Sequence, residues 1–293
     1  MMVSHSLNSD DASYLDDMLR EAVARKEFVL QYQPYLDLKS KNVAGVEALI
    51  RWQHPAHGLI YPDHFIPVAE RSELIDLIGE WVLREACTQM RDWQAAGIKI
   101  PSMSVNVSPR QFSRASLPLL VHSILEKNNL DAEQLDLEVT ESAVPLDEKM
   151  LYANVLSLRQ LGVKISIDDF GMGYSSLERL RMMPVDRLKI DRVFIKNISV
   201  NTTDASLVRT MIHLAHQLGI IVIAEGIEDA ESYARVQAMG CHQGQGFYFA
   251  PALSATECKK YLRDDQKKCT ANREQPSQRN RFDSSAIPLH VHS

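Results

Sequence analysis

The sequence predicts an α/β fold, a (β/α)8 TIM-like barrel whose first strand is antiparallel, and three observations support this. Short apolar runs alternate with amphipathic segments of helical period, the pattern of a parallel sheet with crossover helices. Eight strand-like runs occur, as many as such a barrel needs. They are residues 28–38, 43–51, 102–107, 135–140, 164–167, 187–190, 220–224 and 246–249. Only Lys-Ser-Lys-Asn separates the first two runs, which is too short for a parallel crossover, so this pair should form an antiparallel hairpin.

Amphipathic segments between the later runs supply the helices. They are residues 74–96, 117–128, 147–161, 203–218 and 229–239. Several of them are followed at once by glycine, which is common after the C-terminus of a helix. Strand and helix therefore alternate along most of the chain.

Composition limits the class of protein. The chain has 293 residues, 45% of them hydrophobic, and a net charge of -6. This acidic balance argues against binding to duplex DNA or RNA, which favours a basic face. The sequence shows no signal peptide and no apolar run of bilayer length, and its four cysteines form no CxxC pair, so we expect a cytoplasmic protein without a membrane segment. We expect an N-terminal extension at 1–15, one folded domain at 16–263 and a flexible polar tail at 264–293.

Polar side chains interrupt the strand-like runs near their C-terminal ends, where a parallel barrel carries its active site. Any one of them is compatible with a helix cap or a satisfied core group, but their repetition at matching strand ends favours a shared site. Unpaired, such groups would cost several kcal/mol each. They are Glu47, Asn106, Glu138, Glu141, Asp168, Asp169, Lys189, Glu225, Glu228 and Gln245.

The stretch KISIDDFGMGYSSL places two of these acids, Asp168 and Asp169, side by side at the end of a strand. Carboxylate and amide oxygens without a matching His or Cys set are typical of Mg²⁺ or Mn²⁺ sites. Two such ions about 3.5–4 Å apart are an established means of phosphoester hydrolysis. Lys189 and Arg51 could offset phosphate charge, Arg51 through a bidentate contact.

These motifs resemble the EAL-domain family of cyclic-di-GMP phosphodiesterases, named for the triplet present here as Glu47-Ala48-Leu49. The resemblance spans most of the chain, in order and at family spacing. It includes LQYQPYLDL, GVEALIRWQHPAHGLIYPDHFIPVAE, VNVSPRQF, LEVTES, IDDFGMGYSSL, VDRLKIDRVFI, IVIAEGIED and GCHQGQGFYFAP. The resemblance implies metal-dependent hydrolysis of cyclic-di-GMP to linear 5′-pGpG by in-line attack of a metal-bound hydroxide, which lowers the level of this second messenger.

The resemblance also assigns roles to individual residues. Metal coordination falls to Glu47, Asn106, Glu138, Asp168, Asp169 and Glu225. Catalysis involves Glu47 and Glu225 together with Lys189 and Gln245, which would contact the attacking water. Substrate binding is assigned to Gln33, Leu49, Arg51, Asp191, Glu228 and Pro251. Glu141 would anchor the loop that starts at Asp169.

The same resemblance implies Mg²⁺ or Mn²⁺, as two ions, with Ca²⁺ inhibitory. It further implies a homodimer and, as the process, a bacterial choice between motility and biofilm. The sequence does not identify the regulator: an upstream sensory domain or a partner protein could fill this role, and the chain is expected to be either a stand-alone enzyme or the catalytic piece of a longer protein. The chain departs from the usual pattern at Met172, His242, Phe247 and Glu73, none of which is an expected ligand. Met172 could alter closure of the loop.

Two alternatives share the fold: a receptor that binds cyclic-di-GMP without cleaving it, and a domain that regulates a partner through its surface. Degenerate receptors typically lose the glutamate, the paired aspartates or the lysine that this chain retains, which favours an enzyme. The Asp169–Gly171 triplet also occurs in kinases, but no HRD loop precedes it, and GMGYSS lacks the third glycine of a dinucleotide fingerprint. His213 and His216, three apart on a helix, could bind a metal, but without a third ligand they are interpreted as surface or core packing residues.

Overall fold

The computed structural model describes residues 9–141, 148–172, 180 and 183–274, with side chains described within 14–268. The strands are β1 (Phe28–Asp37), β2 (Val43–His54), β3 (Gly58–Ile60), β4 (Met103–Asn106), β5 (Leu135–Thr140), β6 (Lys164–Phe170), β7 (Arg187–Ile190), β8 (Ile221–Ala224) and β9 (Gln243–Gln245). The helices are α1 (Ser9–Arg25), α2 (Pro62–Arg71), α3 (Leu74–Ala95), α4 (Pro109–Phe112), α5 (Leu117–Asn128), α6 (Glu148–Gln160), α7 (Arg192–Ile195), α8 (Thr202–Gln217), α9 (Ala230–Ala238) and α10 (Ala255–Glu274). A 3-10 turn covers Ala132–Gln134.

Eight strands close into a barrel. The order is β1-β9-β8-β7-β6-β5-β4-β2, and β1 pairs with β2 to complete the ring, while β3 extends β2 as a short outer hairpin. Strand β1 runs antiparallel to both its neighbours, and the other barrel pairs are parallel. The predicted fold class, including the antiparallel first strand, is confirmed.

The last barrel strand was predicted wrongly. The sequence placed it at 246–249 because Phe247, Tyr248 and Phe249 have high β-propensity, but strand β9 is Gln243–Gln245. Gly246, at φ +155°, ends the strand, and the backbone of Ile227 lies where a Cβ at this glycine would stand. Phe247 and Tyr248 are therefore exposed beyond the barrel.

A helix crosses each of the two expected domain boundaries. Helix α1 begins at Ser9, inside the expected N-terminal extension, and α10 continues to Glu274, so the first residues of the predicted polar tail are helical. Asp265 accepts a hydrogen bond from the Val43 backbone at 3.2 Å, and Gln266 donates one to the Lys99 carbonyl at 2.8 Å. These contacts fix α10 against the barrel. Residues 275–293 lie outside the described part of the chain.

The barrel interior contains a polar layer below the strand ends. Arg187 Nη1 donates to Asp136 Oδ2 at 2.6 Å, and the Ser166 and Ser104 hydroxyls donate to the same carboxylate at 2.7 and 3.2 Å. Tyr35 Oη lies 3.3 Å from Ser104 Oγ. Asp136 is fully buried, and these partners compensate for its loss of hydration.

Side chains two positions apart on a strand share a face, so this layer sits directly beneath the next one. Asp136 precedes Glu138, Ser166 precedes Asp168, and Arg187 precedes Lys189 by two residues each. Between residues 9 and 274, no helix of the described ranges is both long and apolar enough to cross a membrane.

Candidate functional site

Lys189 lies at the centre of the upper polar layer, at the C-terminal ends of the strands. Its Nζ is 2.7 Å from Glu225 Oε1, 2.8 Å from Glu138 Oε2, 3.3 Å from Asp168 Oδ1 and 3.5 Å from Glu47 Oε2. The lysine side chain is only 2% exposed. Four carboxylates around one ammonium leave an excess of negative charge in a largely buried space.

Glu47 is held in one orientation by two amides. Asn106 Nδ2 donates to Oε1 at 2.8 Å, and Gln245 Nε2 donates to Oε2 at 2.8 Å. Strand pairing brings these three residues together. Strand β2, which carries Glu47, lies between β4, which carries Asn106, and β1. Strand β1 in turn pairs with β9, which carries Gln245. Both oxygens of Glu47 therefore point into the site.

The two adjacent aspartates reach the site through an irregular strand end. Pairing between β6 and β7 shifts register between Ile167 and Phe170, and Asp169 has φ +54°. The Asp169 backbone N–H donates to Asp168 Oδ1 at 2.9 Å. Oxygens of Asp168, Asp169 and Glu225 lie within 4.8 Å of one another. Neighbouring strand residues normally point to opposite faces of a sheet. Because the strand is irregular here, Asp168 and Asp169 can both contribute to one site.

The electrostatics of the cluster favour bound protons or cations. Burial raises the pKa of Glu225 to about 8, Asp168 and Glu47 add to the rise, and Lys189 opposes it. Burial and the neighbouring Asp168 carboxylate raise the pKa of Asp169 to about 7. Burial also raises the pKa of Glu138 well above its ordinary value.

Lys189 and Glu47 shift in the directions that keep both charged. Burial acts to lower the pKa of the Lys189 ammonium, but the surrounding carboxylates raise it well above its usual range. Burial acts to raise the pKa of Glu47, but Lys189 and the two amide donors lower it. These shifts favour the ammonium form of Lys189 and the carboxylate form of Glu47.

The donor set fits a divalent ion. Within the described residues, Glu138 Oε1 and Gln245 Oε1 are buried and lack hydrogen-bond partners. Such atoms are costly unless a further group pairs with them. Carboxylate and amide oxygens suit Mg²⁺ or Mn²⁺. Among the described residues, Asp168, Asp169 and Glu225 lie close enough together to hold one ion. The wider set, which adds Glu47, Asn106 and Glu138, stays a prediction.

Glu141 contacts the start of the loop that it was predicted to anchor. Its Oε2 accepts a hydrogen bond from the Gly171 backbone at 2.5 Å, and its own N–H donates to the Asp168 carbonyl at 2.9 Å. Met172 is 56% exposed. The prediction about loop closure concerns residues 173–179 and 181–182, which lie outside the described residues.

The remaining predicted substrate residues surround the cluster at different distances. Gln33 pairs in register with Glu47 and donates to the Ala250 carbonyl at 3.0 Å, next to the exposed Pro251. Asp191 caps α7 by accepting from the Val193 N–H at 2.7 Å, and it faces Asp169. Glu228 is exposed, and the described residues show no ion pair that joins it to the cluster.

Leu49 and Arg51 continue β2 beyond Glu47. Leu49 lines a cavity of about 340 Å³ that reaches Asp168 and Asp169. Its other lining residues include apolar side chains of α2 and α3, such as Ile66 and Ile78, and polar residues at and after the end of β4, such as Asn106. This volume is at the lower end of the range of roughly 300–1,000 Å³ for small-molecule pockets.

Sequence reasoning missed the residues that support the site from below. Asp136 and Arg187 were not singled out, although each precedes a predicted site residue by two positions, and the period of a strand could have found them. His216 contacts His242, with ring centroids 4.6 Å apart, and both residues are exposed.

The chain matches the family model for the EAL domain over residues 16–252. It is 41% identical over 254 residues to the bifunctional diguanylate cyclase/cyclic di-GMP phosphodiesterase MucR of Pseudomonas aeruginosa, covering 87% of this chain and 37% of MucR. It is 39% identical over 249 residues to the cyclic di-GMP phosphodiesterase NbdA of the same organism, covering 85% of this chain and 32% of NbdA. The chain thus spans less than half the length of these curated relatives.

Solved structures agree with this assignment. The PaMucR phosphodiesterase in complex with c-di-GMP is 41% identical with a TM-score of 0.79, and the match covers 84% of this chain and 99% of that one. The EAL enzyme Bd1971, in its form bound to cAMP and cyclic-di-GMP, is 35% identical with a TM-score of 0.83, covering 88% of this chain and 70% of that one. The chain belongs to the EAL domain family.

Proposed function

We propose that this chain hydrolyses one phosphodiester bond of cyclic-di-GMP to give linear 5′-pGpG, with Mg²⁺ or Mn²⁺ as two bound ions. The observation that supports this most strongly is the carboxylate cluster around Lys189, with buried, unpaired oxygens at the C-terminal end of the barrel. The relatives and solved neighbours named above as cyclic-di-GMP phosphodiesterases or complexes support the choice of substrate.

The residues that would hold the ions are Glu47, Asn106, Glu138, Asp168, Asp169 and Glu225. Bound divalent ions would lower the pKa of a nucleophilic water and offset the charge that develops on the phosphate. Glu47 can serve this purpose because Asn106 and Gln245 fix the direction of both its oxygens. A fixed ligand loses less conformational freedom on binding.

Lys189 would act through its charge. Its pKa is raised well above the ordinary value, so it does not serve as a base near neutral pH. An ammonium at this point can orient the attacking water and stabilise negative charge on a phosphate oxygen. Glu225, with a pKa of about 8, exchanges a proton near neutral pH, and its Oε1 is the carboxylate oxygen closest to the Lys189 Nζ.

Membership of the EAL domain family also suggests the oligomeric state, the location, the regulation and the substrate-binding residues. We expect a homodimer, a cytoplasmic location and regulation by a sensory domain or partner protein. Gln33, Leu49, Arg51, Asp191, Glu228 and Pro251 would hold the dinucleotide, and Glu141 would couple the loop to the metal site.

Incubation of the purified protein with cyclic-di-GMP, followed by chromatography of the products, tests the proposal. We expect pGpG in the presence of Mg²⁺ or Mn²⁺ and little product with Ca²⁺, whose larger and looser coordination fits two-ion, in-line geometry poorly. Binding of cyclic-di-GMP without any product would instead show a receptor. If the protein neither bound nor cleaved cyclic-di-GMP, a role exerted through its surface would remain. Each of these two results would overturn the enzyme assignment.

A further inference from the structure

Arg51 is a largely buried cation that forms no ion pair with a carboxylate of the described residues. The residue is 6% exposed, and its Nε and Nη1 donate to the Gln31 side chain at 2.9 Å and to the Ile50 carbonyl at 2.8 Å. Both acceptors are neutral. Among the described residues, Arg51 takes part in no ion pair and Nη2 has no acceptor, yet Nη2 is not sealed from solvent. The Nη2 group can therefore donate a hydrogen bond to an acceptor on a bound ligand.

Tyr61 covers this guanidinium. The Arg51 Cζ lies 4.9 Å from the centre of the Tyr61 ring, within the range of a cation–π contact. The tyrosine residue is 51% exposed, so its ring forms part of the surface. This contact holds one face of the guanidinium against the ring.

Local structure fixes Tyr61 at this position. Trp52 pairs with Ile60 in the antiparallel β2–β3 hairpin, so Tyr61, the next residue, comes opposite Arg51. Pro62 begins α2 immediately afterwards and restricts Tyr61 to an extended backbone, observed at φ -87° and ψ 154°. The ring is thus placed by the hairpin register and by the proline.

Arg51 lies further along β2 than the predicted metal ligand Glu47. It follows Glu47 by four residues on one strand, which corresponds to about 13 Å between their Cα atoms. The ribose and base of one nucleotide can span this distance if the scissile phosphate lies at the carboxylates. The cavity of about 340 Å³ extends from Asp168 and Asp169 to Ile50 and Pro62, the chain neighbours of Arg51 and Tyr61.

Resting on the proposed function, we infer that Tyr61 is a positioning residue that fixes the plane of the Arg51 guanidinium against one guanine base of the dinucleotide. Arginine reads guanine by donating to O6 and N7, whereas adenine presents an amino donor in place of O6. A guanidinium that is stacked on one face and tethered at two nitrogens keeps its remaining N–H groups in a fixed plane. Tyr61 thereby strengthens the preference for guanine over adenine.

The test compares Tyr61→Leu, which keeps apolar bulk but removes the aromatic face, with Tyr61→Phe, which keeps that face. Tyr14→Ala, at an exposed tyrosine of α1, is the control. For Tyr61→Leu we expect KM for cyclic-di-GMP to rise about 3- to 10-fold, with kcat little changed. The ratio of kcat/KM for cyclic-di-GMP to that for cyclic di-AMP should fall. Tyr61→Phe should restore both values.

Three results would overturn the inference: an unchanged KM in Tyr61→Leu, a loss in kcat alone, or an equal loss for the two dinucleotides. The last would mean that Arg51 holds phosphate or ribose. Equilibrium binding of both dinucleotides in Ca²⁺ gives the same comparison without turnover. Failure of the proposed hydrolysis is thereby distinguished from failure of the role of Tyr61.

Discussion

Replacing Lys189 by methionine tests whether the ammonium neutralises the carboxylate cluster. The substitution keeps most of the side-chain volume and removes the only positive charge within 3.5 Å of Glu47, Glu138, Asp168 and Glu225 among the described residues. Removal of one partner from a buried ion pair costs about 3–5 kcal/mol because the other charge is left uncompensated. We expect a loss of this size in the unfolding free energy of the metal-free protein.

The loss should depend on pH. Glu225 has a pKa of about 8, above the value for an unfolded chain, so the folded state takes up a proton more readily than the unfolded state. At low pH, protonation of the carboxylates removes negative charge that the ammonium would otherwise neutralise. Above about pH 8 the carboxylates stay ionised and repel one another. The destabilisation by Lys189→Met should therefore be smaller at pH 6 than at pH 9. Mn²⁺ should restore more stability to the variant than it adds to the wild type.

Urea unfolding followed by circular dichroism, with and without Mn²⁺, measures these differences. Lys267→Met is the matched control, because that lysine is 74% exposed and lies 3.9 Å from Asp264, a surface pair of about 0–1 kcal/mol. If both variants lose the same stability, or if Mn²⁺ has no larger effect on Lys189→Met, the view of Lys189 as the neutralising cation is wrong.

Three further predictions concern the same barrel. Glu47→Gln keeps the shape of the side chain but removes a charged ligand, and should lower turnover by more than the roughly 10–100-fold seen for outer-shell changes; an unchanged rate would place the site elsewhere. Gly45→Ala would force a Cβ against the ring of Tyr35 and should lower the unfolding free energy by about 1–3 kcal/mol, measured in urea, and no loss would contradict the packing described for this layer. Calorimetric affinity for Mg²⁺ should rise as pH increases through the pKa values of Asp169 (about 7) and Glu225 (about 8), with proton release on binding, and a flat profile would contradict protonation of these carboxyls.

Strand periodicity was enough to predict the barrel and the residues of its upper layer. The hairpin of β1 and β2 followed from a short connection, and the acids at the strand ends followed from their interruption of apolar runs. These features are local, since each depends on a few neighbouring residues. Prediction was therefore most successful where local pattern and global fold agree.

The parts that were missed depend on contacts between distant residues. Strand β9 is Gln243-Gly244-Gln245, which has little β-propensity, and is held in place by pairing with β1 and β8. Helix α2 begins at Pro62 and contains Pro67, so its pattern did not suggest a helix. The positive φ of Asp169 arises from the shift in register between β6 and β7, which no local signal of that strand indicates.

The proposed hydrolysis is tested most directly by a single-turnover measurement with protein in excess over cyclic-di-GMP in Mn²⁺. The wild type and Glu47→Gln are purified side by side, so that a contaminating activity would occur in both. The account predicts conversion to linear 5′-pGpG by the wild type alone. Unchanged cyclic-di-GMP with the wild type, or equal conversion by both proteins, would contradict it.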